Sequence, residues 1–286
     1  MTVPGRSENK PLIVCAAITG GVPPEAAGIG HPLDPAAIVE SALACHAAGA
    51  AIIHIHARQA TGETTMEPAA YAGIARAIRD RGCDAILDFS AGDDGGRASH
   101  AQRLAVVGTG AEIVSFAGGS FNIAERLYDN RPSFQTALAV AIARAGLRPE
   151  IEIFDSAHLQ CAPRLAAAGL GGPLFFQFVM GLPGAQKADV ALLEWLVREL
   201  PDGSEWSVSA QTGPDVARHA QLLEAAIAGG GHVRTGLEDA RRMNDGSPAT
   251  SNTALVAQWV AQAMRRGRPV ATSAAARRLL GIGSHG

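Results

Sequence analysis

Short apolar runs recur along the chain, at 12–19, 51–57, 85–90, 112–117, 150–155, 174–180, 205–209 and 232–237. Their length and apolar continuity predict buried β-strands. Between them lie longer Ala-rich stretches whose apolar positions return at helical spacing, near 34–48, 67–81, 99–107, 133–145, 157–168, 187–199, 214–228 and 251–266. In the Pro32-Leu33-Asp34-Pro35 segment, Asp34 reads as an N-cap and Pro35 as the first helical residue. Pro68 and Pro214 likewise read as first-turn prolines. Gly49, Gly82, Gly108, Gly146, Gly169 and Gly229 stand where helices should stop.

Alternating strands and one-faced helices describe an α/β protein with a parallel sheet. Eight such units predict a closed (β/α)8 TIM barrel, with a doubly wound open sheet as the rival. The polar residues favour closure. His54, His56, Ser90, Ser115 and Glu238 all fall toward the C-terminal ends of their runs, the face that carries active sites in barrels. In a closed barrel the last strand returns to the first, so the second and eighth strands both flank strand one and their polar ends converge. The chain reads as one barrel domain over 1–286, with flexible termini at 1–10 and 283–286. The Pro/Gly-rich stretch 22–33 reads as an ordered loop over the site.

Composition narrows the function classes. A net charge of −3 over 286 residues offers no basic field for nucleic acid or an anionic membrane. No apolar run approaches the ~18–20 residues of a membrane span, and the polar first ten residues lack a signal core. The four cysteines, Cys15, Cys45, Cys83 and Cys161, form no paired motif and read as reduced thiols. A soluble cytoplasmic protein fits these features.

The chemistry concentrates in two segments. His54 and His56 are two apart on a strand, so both imidazoles face one side. Glu238 and Asp239 close the last apolar run, and Arg234 shares a face with Glu238 by alternation. Two imidazoles and a carboxylate suffice as protein ligands of an open catalytic metal site. Two buried histidines satisfied by backbone groups are the plain alternative for His54 and His56. For Glu238 and Asp239 it is a solvated loop pair, and for Arg234 an outward ion pair to a helix. Ser90 and Ser115 are strand-end hydroxyls suited to a carboxylate, though each could simply form a turn. One of Glu152 and Asp155 should face the interior. The glycines at 229–231 precede a strand rather than a helix, so they are not a dinucleotide fingerprint.

These segments resemble the β-keto acid cleavage enzymes, relatives of the 3-keto-5-aminohexanoate cleavage enzyme of lysine fermentation. The resemblance rests on residues 50–58 (Ala-Ala-Ile-Ile-His-Ile-His-Ala-Arg), 148–159, 174–185 and 230–240, and runs from about residue 12 to 282. It implies a barrel with a divalent metal, usually zinc, held by His54, His56 and Glu238. It implies a catalytic pair in Arg234 and Asp239, and Ser90 and Ser115 as holders of the keto acid's carboxylate; Glu152, from the strand reading, is a further candidate for the substrate site. The family reaction converts a β-keto acid and acetyl-CoA to acetoacetate and a new acyl-CoA. A homo-oligomer, a tetramer among the forms, is implied as well. The founding enzyme carries an acidic residue after its first strand, in Gly-Ala-Glu-Val, to meet its substrate's amine. Here the segment reads Thr19-Gly20-Gly21-Val22, and Ser90-Ala91-Gly92-Asp93 replaces the usual Ser-Thr-Gly-Gly after the third strand. A substrate with a neutral or anionic distal end is therefore expected. The rival readings are a metal-dependent aldolase or hydrolase on the same barrel, and a metal-stabilised sensor or scaffold.

Overall fold

A computed structural model describes residues 10–21, 23–123, 125–170 and 173–283. Apart from Lys10 and Gly283, the termini expected to be flexible lie outside the described residues, as does Val22 of the loop after the first strand. Eight parallel strands close into a barrel: β1 (Val14–Ala17), β2 (Ile52–Ile55), β3 (Ile86–Ser90), β4 (Ile113–Ala117), β5 (Arg148–Ile153), β6 (Phe175–Met180), β7 (Glu205–Ala210) and β8 (His232–Thr235). Helices α1 (Pro35–Ala47), α2 (Pro68–Asp80), α3 (His100–Leu104), α4 (Pro132–Arg144), α5 (Ala162–Ala167), α6 (Val190–Arg198), α7 (Val216–Ala228) and α8 (Asn252–Arg265) follow the strands in order, and α9 (Ser273–Leu280) ends the chain. The closed order excludes the doubly wound rival.

Closure is what assembles the site. β8 pairs with β1, setting Arg234 opposite Cys15, and β1 pairs with β2, setting Ala17 opposite His54. Alternation then sorts the strand residues. One set, including Val14, Ile53, Leu87, Phe116, Ile151, Phe178 and Val208, packs outward against the helices as the main core. The other set fills the barrel. Its lower layer is apolar: Ile13, Cys15, Ile52, Ile86, Ile113 and Phe175 pack on Ala276, Leu280 and Ile282 of and beyond α9. The upper interior is polar and belongs to the site.

Helix starts follow the side chains that accept from exposed N–H groups. Asp34 accepts from the Ala37 amide, with Pro35 as first helical residue. Pro68 also occupies the first turn of α2. Pro214 does not: α7 begins at Val216, because Asp215 takes the cap and accepts from the Arg218 amide. Two elements were not expected. An antiparallel hairpin, Phe121–Ile123 with Arg126–Tyr128, sits between β4 and α4. It is anchored by Phe121, stacked on Phe154 at 4.3 Å between ring centres. Helix α9 is the other, capped by Thr272 accepting from the Ala275 amide.

Candidate active site

The polar interior is built around His54, whose side chain is fully buried. Its Nδ1 donates to Asp88 Oδ2 on the neighbouring strand at 2.6 Å. That bond leaves the lone pair on Nε2, which has no hydrogen-bond partner among the described residues. Glu238 Oε2 is a second buried atom without a partner, 3.7 Å from that Nε2. His56 Nε2 lies 3.6 Å from the other oxygen, Glu238 Oε1. One donor atom from each of His54, His56 and Glu238 lies within 4.8 Å of the other two.

Three features hold this arrangement. Arg58, buried in the turn after β2, donates to the carbonyls of Thr19, Gly20 and Gly62. Thr19 Oγ1 accepts from the His56 amide at 2.7 Å. Gly20 has a φ of +63°, and a Cβ there would stand 2.8 Å from Glu238 Cγ. The turn after β1 is thus pressed against the Glu238 side chain. From the other side, Asn252 Oδ1 accepts from the Leu237 amide and its Nδ2 donates to the Ile18 carbonyl, pinning the turn after β8 to β1.

Arg234 points inward, not toward a helix, and its guanidinium is shared among carboxylates. Nε donates to Asp239 Oδ2 at 3.1 Å, Nη1 to Glu152 Oε1 at 3.1 Å and Nη2 to Glu238 Oε1 at 2.5 Å. Glu150 Oε2 stands 3.8 Å from Nη1. Asp239 also accepts from Gln211 Nε2 at 3.1 Å, so both its oxygens are engaged and its carboxylate is buried. Burial opposes the charge on Glu238, but Arg234, His54 and His56 outweigh it and hold that carboxyl well below the usual range. The reverse holds for Glu150, where burial, reinforced by Asp88, raises the carboxyl far above it. Burial raises Glu152 as well, against Arg234. For His54, burial and Arg234 lower the pKa, and Asp88 with Glu238 more than reverse them.

The remaining predicted residues separate. Ser90 lines the same cavity as His56, Glu152, Arg234 and Glu238, and its Oγ accepts from the Gly92 amide at 3.1 Å. Ser115 pairs in register with Ser90 on the next strand, buried and with its hydroxyl unpartnered among the described residues. Glu152 faces the site, whereas Asp155 is spent as the cap of the turn over Ser156–Cys161, accepting from the Ala157 amide. Asp88, Glu150 and Gln211 were missed in the sequence. Asp88 and Glu150 each stand two residues before a predicted site residue, Ser90 and Glu152, so strand alternation could have found them. Gln211 follows β7 in a loop and carries no such signal.

A buried cluster of two imidazoles and several carboxylates around one guanidinium, open to a cavity at the C-terminal mouth, matches the segments that carry the family resemblance. The β-keto acid cleavage enzyme family matches residues 11–282. The chain belongs to that family. It is 36% identical over 282 residues to the 3-oxoadipate:acetyl-CoA acetyltransferase of Cupriavidus necator, covering 96% of each chain. It is 34% identical over 273 residues to the 3-keto-5-aminohexanoate cleavage enzyme of Acetoanaerobium sticklandii, covering 95% of this chain and 98% of that one. Among solved structures, apo ObcA superposes with a TM-score of 0.75 at 22% identity, covering 88% of this chain and 66% of the longer ObcA chain, a likeness of fold. Family membership makes this barrel a β-keto acid cleavage enzyme and sets aside the sensor and scaffold readings. No helix among the described residues is long and apolar enough to cross a membrane. All four cysteines are free and buried.

Proposed function

We propose that the chain converts a β-keto acid and acetyl-CoA to acetoacetate and a new acyl-CoA, with a divalent cation, zinc by preference, held by His54, His56 and Glu238. The observation that carries the metal reading is the pair of unpartnered buried atoms, His54 Nε2 and Glu238 Oε2. Leaving both without a partner is costly unless something binds them. Charge points the same way: Glu150, Glu152, Glu238 and Asp239 all gather on the guanidinium of Arg234. When bound, the cation supplies Lewis-acid polarisation of the substrate's keto oxygen. His54 is fixed for this role by Asp88, which holds the proton on Nδ1.

The chain's own residues handle the proton and the carboxylate. Ser90 and Ser115 receive the acid's carboxylate. Asp239 takes a proton from the carbon between the two carbonyls, exchanging its Gln211 hydrogen bond as it does so, and Arg234 holds it in place. The resulting carbanion forms a carbon–carbon bond to the acetyl carbonyl of acetyl-CoA, expelling the CoA thiolate. That thiolate adds to the original keto carbonyl and the neighbouring carbon–carbon bond breaks. The acyl group leaves as its CoA thioester, and Asp239 returns the proton to the departing acetoacetate. Arg234 acts wherever negative charge develops, where electrostatic stabilisation contributes most.

The distal end of the acid is proposed to be neutral or anionic. Gly21 lines the cavity where the founding enzyme places its acidic residue, and space there is open. Asp93 and Asp94 do reach the same cavity, but Asp93 is paired with Arg126 and Asp94 with Arg97. Neither is available to an ammonium group without breaking its pair.

The test is a panel of β-keto acids with acetyl-CoA, reading acetoacetate. Metal content should be about one ion per chain, and His54→Ala or Glu238→Ala should lose ion and turnover together. Asp239→Asn should keep the ion while kcat falls by roughly two orders of magnitude or more. Near-full rate in that variant would move the base to Glu152. Better use of 3-keto-5-aminohexanoate than of a neutral chain of equal length would overturn the substrate reading.

A further inference from the structure

Two cavities open at the mouth of the barrel, and they differ in kind. The first, about 160 Å³, holds His56, Ser90, Glu152 and Arg234. The second, about 540 Å³, lies between the loops after β6, β7 and β8, walled by Leu182, Pro183, Pro214, Val216 and Pro248 and edged by Arg241 and Arg242. Gln211 and Glu238 border both. Asp239 lines the larger one. The proposed reaction needs room for two molecules of very different size around one proton-transfer group.

We propose that the larger cavity binds the pantetheine arm of the CoA thioester, with Arg241 and Arg242 taking its phosphates at the rim. This rests on the acetyl-CoA reading above. Size comes first: the smaller cavity is below the ~300–1,000 Å³ of ligand pockets and suits only a short acid, while the larger falls inside that range. Position comes next. The acyl end of a molecule threaded along the larger cavity passes Asp239 and reaches Gln211 and Glu238, the border with the acid's cavity, which is where the new carbon–carbon bond must form. The wall chemistry fits as well. Prolines, a leucine and a valine cover an arm whose middle is a branched hydrocarbon between amides.

The rim decides the polarity. Arg241 and Arg242 are exposed and have no carboxylate partner among the described residues. Arg242 Nη1 donates only to the Gly246 carbonyl, at 2.8 Å, which leaves the rest of its fork open. Adjacent guanidiniums suit a ligand with several phosphate oxygens. In barrels, phosphate groups are commonly received by the loops after the seventh and eighth strands, two of the three that form this cavity.

The experiment is calorimetric titration of CoA into the metal-loaded protein, for the wild type, Arg241→Ala, Arg242→Ala and the double variant, alongside kinetics. Both arginines are exposed and outside the catalytic set, so the variants should fold. CoA affinity should fall about tenfold per arginine, the scale of a charge-assisted hydrogen bond. KM for acetyl-CoA should rise in parallel, while kcat and KM for the acid stay put. S-acetylpantetheine, which lacks the phosphates at the nucleotide end, should no longer distinguish wild type from variant. Val216→Trp, which fills the cavity, should weaken CoA and acetylpantetheine alike. Equal CoA binding in the wild type and the double variant, or failure of the wild type to bind CoA, would overturn the assignment. CoA binding that depends on the arginines, with no β-keto acid turned over, would leave the site standing and sink the proposed reaction instead.

Discussion

Replacing Asp88 with asparagine weakens its bond to His54 by an amount that can be sized. The Asp88 and His54 side chains are both fully buried and joined at 2.6 Å. Asparagine keeps the shape and can still accept from Nδ1, so the ring's orientation survives. What is lost is the charge on the acceptor. A hydrogen bond to a charged group contributes about 1.5–3 kcal/mol and a neutral one about 0.5–1.5 kcal/mol, leaving roughly 1–2 kcal/mol. That difference weakens His54 as a donor to a cation by about fivefold to thirtyfold, overlapping the lower part of the 10–100-fold typical of partners behind metal-binding histidines. Stability of the metal-free protein should barely move, because the change also relieves the charge that Asp88 imposes on buried Glu150. Competition against a chromophoric zinc chelator at fixed pH measures the affinity, and thermal unfolding of the metal-free protein measures the fold. Unchanged affinity would refute the reasoning. So would a weakening matched by an equal loss of metal-free stability, since Asp88 would then be holding the barrel and not the ligand.

Further outcomes follow from the same geometry. Arg234→Lys keeps the charge but replaces a fork that meets Asp239, Glu152 and Glu238 at once with a single ammonium; turnover should fall by two orders of magnitude or more with the ion retained, and near-normal kcat would show that charge alone suffices. Gly236→Ala places a Cβ 2.1 Å from the Ala17 carbonyl oxygen at a φ of +144°, so the turn delivering Glu238 must shift; urea unfolding should show a loss of roughly 1–3 kcal/mol or more, and an unchanged midpoint would contradict the clash. Burial lowers the pKa of His232 from 6.5 to about 4, so the unfolded chain takes up its proton first on acidification. Stability should therefore fall between pH 6.5 and 4 by up to about 3 kcal/mol, a slope that His232→Gln should flatten and whose persistence in that variant would assign it elsewhere.

The barrel was legible because its strands are short, apolar and regularly spaced, and because polar residues gather at one end of each. The two elements that escaped have weak local signals. The hairpin at 121–128 has three-residue strands and takes its order from Phe121 packing on Phe154, a contact between segments far apart in sequence. Helix α9 mixes alanines with Arg277 and Arg278, and only the apolar floor of the barrel gives its Ala276 and Leu280 a surface to cover. Pro214 misled for a local reason: proline and aspartate both mark helix starts, and the carboxylate of Asp215 won the cap.

Site legibility divides along the same line between strand and loop. His54, Glu152, Arg234 and Ser90 are fixed by alternation on strands, so a sequence period of two carries their direction, and His56 stands one residue past the end of β2, where the Thr19 hydroxyl holds its amide. Glu238 and Asp239 lie beyond the end of β8, where alternation no longer applies. Their positions come from the close approach of Gly20 and Gly236 to the neighbouring turns and from Asn252 reaching across from α8. In the sequence, Glu238 is put on Arg234's face by alternation and the Arg234–Asp239 pair is taken from the family resemblance; in the structure the pairing follows from chemistry, since a guanidinium on the inward face of a strand must find carboxylates or be left buried and unpaired. Several carboxylates then answer one guanidinium, and that imbalance is itself informative. A fold selected for stability alone would do as well with an apolar interior at this level. Retaining Asp88, Glu150, Glu152, Glu238 and Asp239 around a single arginine makes sense if a cation completes the balance and the reaction needs one of those carboxylates to move a proton. The lower interior, where no chemistry is required, is apolar.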